Sequence, residues 1–298
     1  GITPAKGARM QSPDVPPVSH GPFMDFFTDY AFKRLLGPGA NRQLIDFLNA
    51  LLADLADPIV DLQYLPQEHL GARREERLAI FDLYCKTDDG SAFIVELQTT
   101  RQQHYRERTL YYSTFPIQEQ AIRGDWDFRL APVYCVSLLN FSLEEDIANP
   151  EDIVTTVQLR TEGRHVVFYD KLTYVYVELG RFQKTEEELQ DHRDWWLYIF
   201  KNLATLQTVP PQAREDIFME FLENAQIAQL SPAEQLDYHR SLKAYRDKIN
   251  TEAYAKQKGH EEGRKEGLEK GRKEGREEGR KEGLVEGQKQ QLLQIVAL

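Results

Sequence analysis

The sequence contains little cysteine and no long apolar run. Only two of its 298 residues are cysteine. Cys85 and Cys135 both lie inside apolar runs, which argues against a disulfide scaffold and for a reducing compartment. The longest apolar runs, such as residues 131–139, fall far below the ~18–20 residues that cross a bilayer. We therefore expect a cytoplasmic protein that does not insert into a membrane.

The sequence also lacks the short motifs that mark several enzyme classes. It has no P-loop, no G-x-G-x-x-G and no nucleophile elbow, the motifs that bind nucleotide phosphates or carry a nucleophilic serine. Its seven histidines show no metal-ligand spacing, which argues against zinc. Chemistry must therefore come from residues outside these motifs.

Basic charge is in deficit overall, but not in every part of the chain. The 37 Lys and Arg against 48 Asp and Glu give a net charge of −11, whereas nucleic-acid binding normally leaves a basic footprint. Residues 256–289 hold 11 basic and 9 acidic residues, a balance of +2, and residues 1–255 hold 26 basic and 39 acidic residues, a balance of −13. A metal ion held by part of this acid would reverse the local sign. The count therefore predicts weak, salt-sensitive nonspecific binding and does not exclude a site that cuts DNA.

Composition divides the chain into four parts. Residues 1–22 contain five prolines and no Phe, Trp or Tyr, which predicts a disordered leader. A domain over residues 23–180 and a helical region over residues 181–255 follow, and residues 256–298 form a low-complexity tail. In the tail, glycine recurs at every fourth position: Gly259, Gly263, Gly267, Gly271, Gly275, Gly279, Gly283 and Gly287.

The tail combines two opposite tendencies. Its charges alternate in sign at i,i+4, and each such pair stabilises a helix by roughly 0.2–0.5 kcal/mol. Each of its eight glycines costs about 1 kcal/mol relative to alanine. We expect a marginal helix that needs a partner or stays mobile. Three roles stay open: a solvated extension, a weak self-association arm or a nucleic-acid arm.

Patterning predicts the order helices, strands, crossover helix, strands and helical appendage, which indicates an α/β or α+β class. The predicted strands cover residues 61–65, 78–86, 92–99, 132–139 and, approximately, 166–177. The predicted helices cover residues 24–36, 41–55, 102–123, 211–224 and 232 onward, with helix also after residue 184, where Thr185 and Glu188 make a capping box.

Each of two successive strands interrupts an apolar face with a carboxylate. Strand periodicity places Asp82 on the face of Ile80 and Tyr84, and Glu96 shares a face with Gln98. An unpaired charge in such a position is costly, so each demands a cation or a strong donor. The simpler interpretations also stay open. Asp82 could be neutralised by Arg73, Arg74 or Arg77, and Glu96 could be a solvated carboxylate on an edge strand.

Loop length decides whether the two carboxylates meet. A three-residue loop, residues 88–90, pairs Thr87 with Ser91 and therefore Asp82 with Glu96, and it places Gly90 at the left-handed position that such a loop requires. A two-residue turn would put the carboxylates on opposite faces of the sheet. Facing carboxylates would suit Mg²⁺ or another divalent cation, which can polarise a phosphodiester and activate water. Gln98 could orient that water, although it is neither a base nor a cation.

Several short motifs in order and at sensible spacing resemble the Rpn family of recombination-promoting nucleases, also described as transposases of the PD-(D/E)XK nuclease superfamily. The resemblance covers residues 23–143, and the glycine-punctuated tail is also similar to that of many members. The motifs are D-Y-A-F-K-R-L-L-G (residues 29–37), L-I-D-F-L-N (44–49), Y-L-P (64–66), F-D (81–82) and I-V-E-L-Q (94–98).

The resemblance implies a restriction-endonuclease-like core, in which a central mixed sheet is flanked by helices and a crossover helix follows the E-x-K strand. Asp82 would be the first strand acid, Glu96 the acid of E-x-K, and Gln98 would stand where the superfamily consensus has lysine. Asp29 matches the acid on the first helix, as a third metal ligand or an outer-shell group; the alternative is a helix N-terminal acid stabilised by the helix dipole. Lys33, one turn later, could supply the charge that Gln98 lacks.

Two functions follow from the sequence. The first is a Mg²⁺-dependent DNA endonuclease with Asp82, Glu96 and Asp29 as ligands, acting in recombination or in the biology of mobile elements. The second is a catalytically weak DNA-binding or self-assembling module that keeps the nuclease fold, with homo-oligomers formed through the helical region or the tail. Arginines on or beside the crossover helix could contact phosphate in either case; they are Arg101, Arg106 and Arg108.

Overall fold

The computed structural model describes residues 21–66, 68–69, 79–121, 124–144 and 147–296. The chain divides into two units, and the boundary between them lies between Ile249 and Asn250. None of the helices in these described ranges has the length and apolar composition that a membrane span needs. The predicted leader lies outside the described residues except for Gly21 and Pro22.

Six described strands form one mixed sheet in the order β1-β4-β5-β6-β8-β7, and β2 pairs with β3 separately. The strands are β1 Gln63–Tyr64, β2 Glu68–His69, β3 Ala79–Ile80, β4 Leu83–Lys86, β5 Ala92–Gln98, β6 Val133–Leu139, β7 Val154–Arg160 and β8 Val167–Glu178. The α-helices are α1 Asp29–Leu36, α2 Asn41–Leu51, α3 Tyr105–Gln118, α4 His192–Asn202, α5 Asp216–Asn224 and α6 Pro232–Val296.

The centre of the sheet is parallel and its flanks are antiparallel. β4 and β5 form an antiparallel hairpin, whereas β5 pairs in parallel with β6, and β6 with β8. Helix α3 makes the crossover between β5 and β6, as a parallel connection requires. β7 pairs antiparallel with β8 at one edge. This arrangement puts β5, the strand that carries Glu96, in the interior of the sheet.

Helices cover both faces of the sheet because its strands are apolar on both sides. β5 sends Phe93 and Val95 into one core, which also contains residues of α1, α2, α4, α5 and the first turns of α6. It sends Ala92 and Ile94 into a second core beneath α3. The predicted α/β class, a central mixed sheet flanked by helices with a helical appendage, is therefore confirmed. The four-part division of the chain stays a prediction, and α4 and α5 share a core with the sheet.

Helix α1 is shorter than predicted. It begins at Asp29, because Thr28 has an extended backbone and its Oγ1 accepts the N–H of Ala31 at 3.2 Å. The residues before Asp29 are not helical, and they form hydrogen bonds with other parts of the chain. The N–H of Met24, for example, donates to the carbonyl of Ala225 at 2.9 Å. The predicted end at Leu36 is confirmed, since a Cβ on Gly37 would overlap the Lys33 carbonyl oxygen.

Other boundaries differ for local reasons. β7 was not predicted, and its pattern of burial shows little of the alternation that marks a strand. Glu188 accepts the N–H of Thr185 at 2.8 Å, as the capping box requires, but the box caps a 3₁₀ turn. The long helix α4 starts later, where the Asp191 side chain accepts the N–H of Asp194. The capping box at Thr185 and Glu188 thus indicates where a helical turn begins, but it does not determine how long the helix is.

The second unit is helical throughout its described part, residues 250–296, which belong to α6. Ion pairs at i,i+4 spacing occur there between Lys258 and Glu262 and between Lys270 and Glu274, each at 3.9 Å, and neither pair belongs to the predicted alternating series that runs from Glu261 to Lys281. Such exposed pairs contribute little individually. A Cβ added to any of the glycines of this helix would have no neighbour within 4 Å among the described residues, so side-chain packing does not require these glycines.

Asp46 on α2 contacts two side chains of α4, and its substitution tests how the two helices pack. Its Oδ2 accepts the indole N–H of the fully buried Trp196 at 2.8 Å and lies 2.5 Å from Nε2 of His192. We predict that Asp46→Ala lowers the free energy of unfolding by about 2 kcal/mol, because it leaves the Trp196 donor unpaired. Urea unfolding measures the change. The exposed Asp54→Ala serves as the control, and equal losses in both variants would contradict the assignment.

Candidate active site

The β4–β5 hairpin has the register that brings the two carboxylates together. The N–H of Thr87 donates to the carbonyl of Ser91, and the N–H of Gly90 donates to the carbonyl of Thr87, both at 3.0 Å. Gly90 has a φ of +86°, the left-handed conformation that favours glycine. Leu83 pairs with Val95 at the other end of the ladder. The predicted three-residue loop and its register are therefore confirmed.

Asp82 and Glu96 hold each other's strands through reciprocal hydrogen bonds. The backbone N–H of Asp82 donates to Oε1 of Glu96 at 2.9 Å, and the N–H of Leu97 donates to Oδ2 of Asp82 at 2.8 Å. The continuous strand predicted over residues 78–86 is wrong, since it breaks between β3 and β4. The physical reason is that side-chain carboxylates take N–H groups that a regular ladder would bond to carbonyls.

This break places Phe81 on a different face of the sheet from the one that strand alternation predicts. Strict alternation predicts that Phe81 and Tyr84 lie on opposite faces, but both pack in the core beneath α3, with ring centroids 5.3 Å apart. Phe81 is fully buried and anchors the chain directly before Asp82. The carboxylate of Asp82 is thereby positioned by a packed neighbour as well as by its hydrogen bond.

Glu96 is not a solvated edge carboxylate. Its strand lies between β4 and β6, and the residue is only 7% exposed, which overturns that interpretation. The alternative for Asp82 concerned Arg73, Arg74 and Arg77, which lie outside the described residues. The buried position of Glu96 makes its negative charge costly unless donors and cations surround it.

Burial raises the pKa of both carboxyl groups. Burial, followed by the charge of Asp82, raises the pKa of Glu96 to about 8, while the Asp82 N–H and the charges of Arg108 and Lys33 act in the opposite direction. Burial also raises the pKa of Asp82; the N–H of Leu97 opposes this, and the charge of Asp29 adds to it. Two neighbouring carboxylates with raised pKa values are typical of functional sites.

Gln98 completes the face of β5 without adding charge. Its Nε2 lies 3.4 Å from Oε2 of Glu96, and the residue is 7% exposed. The contact is long for a hydrogen bond, so it orients the amide only weakly. Gln98 therefore sits beside the carboxylate pair, as predicted, but provides no positive charge there.

Asp29 and Lys33 form an ion pair on α1 rather than a ligand and a free cation. Nζ of Lys33 lies 2.9 Å from Oδ1 of Asp29, and their side chains are 38% and 65% exposed. A cavity of about 710 Å³ borders both residues. The ranges that the structure describes contain no group of three or more His, Cys, Asp or Glu residues placed to hold a metal. Asp29 is thus not brought into one ligand cluster with Asp82 and Glu96, and it stands at the helix N-terminus.

The remaining carboxylate pair fits a hard divalent cation. Each carboxylate accepts a backbone N–H from the opposite strand, and ionised carboxylate oxygens are hard, anionic donors. Mg²⁺ commonly takes one or two protein carboxylates and fills its other positions with waters and phosphate oxygens. Asp82 and Glu96 have the donor chemistry for such a site.

Of the three candidate arginines, Arg108 is the one whose charge acts on both carboxyl groups. Arg101 donates to the carbonyl of Ser142 at 2.5 Å, and Arg106 pairs with Glu144 at 2.8 Å. The charge of Arg108 instead lowers the pKa of both buried carboxyl groups. Sequence reasoning named the three without choosing. Spacing does not separate them, since Arg101 and Tyr105 stand four residues apart just as Arg108 and Tyr112 do.

The raised pKa of Glu96 generates a prediction for the metal-free protein. Folded Glu96 keeps its proton up to about pH 8, whereas an unfolded glutamate loses it near pH ~4.3. Stability therefore falls as pH rises between these values, and Glu96→Gln removes that loss. We expect the variant to gain on the order of 2 kcal/mol at pH 8 and little at pH 5, measured by urea unfolding. The exposed Glu162→Gln is the control; a gain independent of pH would refute the explanation.

Comparison with known proteins identifies the family of this chain. A family model described as PD-(D/E)XK nuclease family transposase matches residues 26–255, which include the sheet and Asp29, Asp82, Glu96 and Gln98. Neither the curated proteins nor the solved structures gave a match to the chain. The family match covers most of the chain and supports a nuclease-like or transposase-related function. The chain belongs to the PD-(D/E)XK nuclease family transposases.

Proposed function

We propose that this protein is a DNA endonuclease that requires Mg²⁺ or another divalent cation. The observation that carries the proposal is the reciprocal pair formed by Asp82 and Glu96, two carboxylates joined to each other's strands at 2.9 and 2.8 Å. Gln98, the other polar side chain on β5, is neutral, and the charges of Lys33 and Arg108 act on the pair from neighbouring helices. The family to which the chain belongs consists of nucleases and transposases, so a phosphodiester is the expected substrate.

Asp82 and Glu96 would hold the metal ion. When bound, a divalent cation stabilises negative charge on phosphate oxygens and lowers the pKa of a water molecule. The protein holds the two carboxylates in a fixed geometry, because hydrogen bonds and the packed Phe81 limit their movement. Preorganised charges of this kind need no rearrangement when the reaction occurs.

The other predicted site residues would act around this pair. Gln98 can accept from or donate to the attacking water through its amide, and so orient it. Lys33 would place positive charge near the carboxylates. Asp29, whose carboxylate lies 2.9 Å from the Lys33 ammonium, would orient that lysine without binding the metal ion. These roles make Asp29 an outer-shell group in the proposed site.

The wider biology follows from the resemblance to the Rpn nucleases. We propose that the protein acts on DNA in the cytoplasm, in recombination or mobile-element biology. The nuclease-like domain would span residues 23–180, with the helical region and tail supporting assembly as homo-oligomers or placement on DNA.

A DNA-binding or self-assembling module without strong catalysis is the second candidate. The observation that favours it is the neutral Gln98 at the position where the superfamily consensus has lysine, since this removes a cation from the β5 strand. The two candidates differ in one measurable property, the cleavage of DNA in the presence of Mg²⁺.

A plasmid-nicking assay tests the proposed function. We expect the purified full chain to nick supercoiled plasmid with Mg²⁺ and not with EDTA, and Asp82→Asn to lower the rate by about 10³-fold, because one of two metal-binding carboxylates is lost. The exposed Asp57→Asn should keep the wild-type rate. Binding of DNA without nicking by the wild-type protein would favour the second candidate.

Lys33→Ala tests the role of the α1 ion pair. The lysine charge lowers the pKa of Glu96 and of Asp82, so its loss should leave more protonated carboxyl at neutral pH. We expect a nicking rate about tenfold lower, equal to about 1.4 kcal/mol, with recovery as the pH is raised. An undiminished rate at pH 7 would exclude the role.

A further inference from the structure

Helix α3 holds Arg108 in a defined position above the sheet. The hydroxyl of Thr109 lies 2.9 Å from that of Tyr176, and the hydroxyl of Ser113 lies 2.7 Å from that of Tyr174. Both tyrosines belong to β8, so two buried hydrogen bonds fix α3 against the parallel part of the sheet. The backbone of α3 at Arg108 is therefore fixed relative to the sheet, and the guanidinium is positioned by its own contacts.

The Arg108 guanidinium is only partly satisfied by the protein. Nη1 donates to Oε1 of Gln102, and the guanidinium carbon lies 5.7 Å from the centre of the Tyr112 ring. That ring in turn meets Phe81, the neighbour of Asp82, edge to face at 5.1 Å. Nε of Arg108 is buried and has no hydrogen-bond partner among the residues that the structure describes. A buried donor without an acceptor is unfavourable, so a movement of the side chain that brings the guanidinium to an anionic oxygen is favoured.

We propose that Arg108 binds the phosphate to be cleaved and supplies the positive charge that Gln98 lacks. This inference rests on the proposed nuclease function and deepens it. The planar guanidinium can donate two parallel hydrogen bonds to the non-bridging oxygens of one phosphate. The Tyr112 ring supports the guanidinium by a cation–π contact, and Arg108 has Gln102, not a carboxylate, as its hydrogen-bond acceptor.

Arginine suits this role because it never gives up its proton under these conditions. In the hydrolysis, the oxygen of water forms a bond to phosphorus while the bond from phosphorus to the leaving deoxyribose oxygen breaks, and a proton from water ends on that oxygen. Negative charge grows on the non-bridging oxygens as this occurs. Arg108 stabilises that charge without taking part in the proton transfer. Lys33 is already paired with the carboxylate of Asp29.

Two measurements on the full chain test the assignment together. The first is the Mg²⁺-dependent nicking rate of Arg108→Gln and Arg108→Lys. We expect Gln to lower the rate by about 10²–10³-fold and Lys by about tenfold, because lysine keeps the charge but not the planar fork. Arg42→Gln removes an equal charge from an exposed pair with Glu220 and should stay within about threefold of wild type.

The second measurement is metal-free binding of a fluorescent 20-base-pair duplex at several salt concentrations. Loss of one phosphate contact should make the log–log salt dependence shallower by about 1 for Arg108→Gln, and not for Arg108→Lys. A lower nicking rate with an unchanged salt slope would overturn the phosphate contact, since it indicates a structural defect that thermal unfolding would reveal. An unchanged rate would overturn the catalytic contribution.

The two proposals fail in different ways. Wild-type protein that binds the duplex but never nicks plasmid would reject the endonuclease, and the salt slope of Arg108→Gln would then decide the phosphate contact alone. Wild-type protein that nicks plasmid, with Arg108→Gln equal to it in both rate and salt slope, would reject Arg108 and keep the endonuclease.

Discussion

The repulsion between two buried carboxylates governs the arrangement around them. Asp82 and Glu96 face each other across a hairpin in the interior of the protein, where an uncompensated charge is costly. Each carboxylate accepts a backbone N–H from the opposite strand, and positive charges on the two flanking helices also stabilise the ionised forms. In the metal-free protein the raised pKa of Glu96 relieves the remaining repulsion by keeping a proton on that group, and a bound cation would relieve it when both groups are ionised.

The positive charges near the site come from helices on opposite faces of the sheet. Lys33 lies on α1 and Arg108 on α3, whereas the superfamily consensus places lysine on the same strand as the glutamate. A cation on a helix is held in place by different contacts from a cation on a strand. A lysine on β5 would be fixed by the hydrogen bonds of the sheet. Helix α3, which carries Arg108, is held by its hydroxyl pairs with β8, and α1, which carries Lys33, is held by α6, since Tyr30 donates its N–H to Ser241 at 3.0 Å.

Much of the site could be predicted because its geometry is local. A hairpin register depends on loop length and on one left-handed residue; residues 87–91 limit the loop to two or three residues, and the structure has three. The break between β3 and β4 could not be predicted, since it depends on which N–H groups the carboxylates accept. The late start of α1 has the same origin: Met24 bonds to Ala225, about 200 residues away in sequence. Arg108 was one of three equal candidates until the packing of α3 separated them.

The β4–β5 hairpin also constrains how the sequence can vary. Asp82 lies five residues before Thr87 and Glu96 lies five residues after Ser91, and Thr87 pairs with Ser91 at the loop. This equal spacing places the two carboxylates opposite each other, since a slip of one residue in the pairing would move one of them to the other face of the sheet. Residues added to the loop lengthen it without moving that pair, and surface loops normally accept such changes. The equal spacing of the two acids from the closing pair is thus a marker, readable from sequence alone, of relatives able to assemble the site.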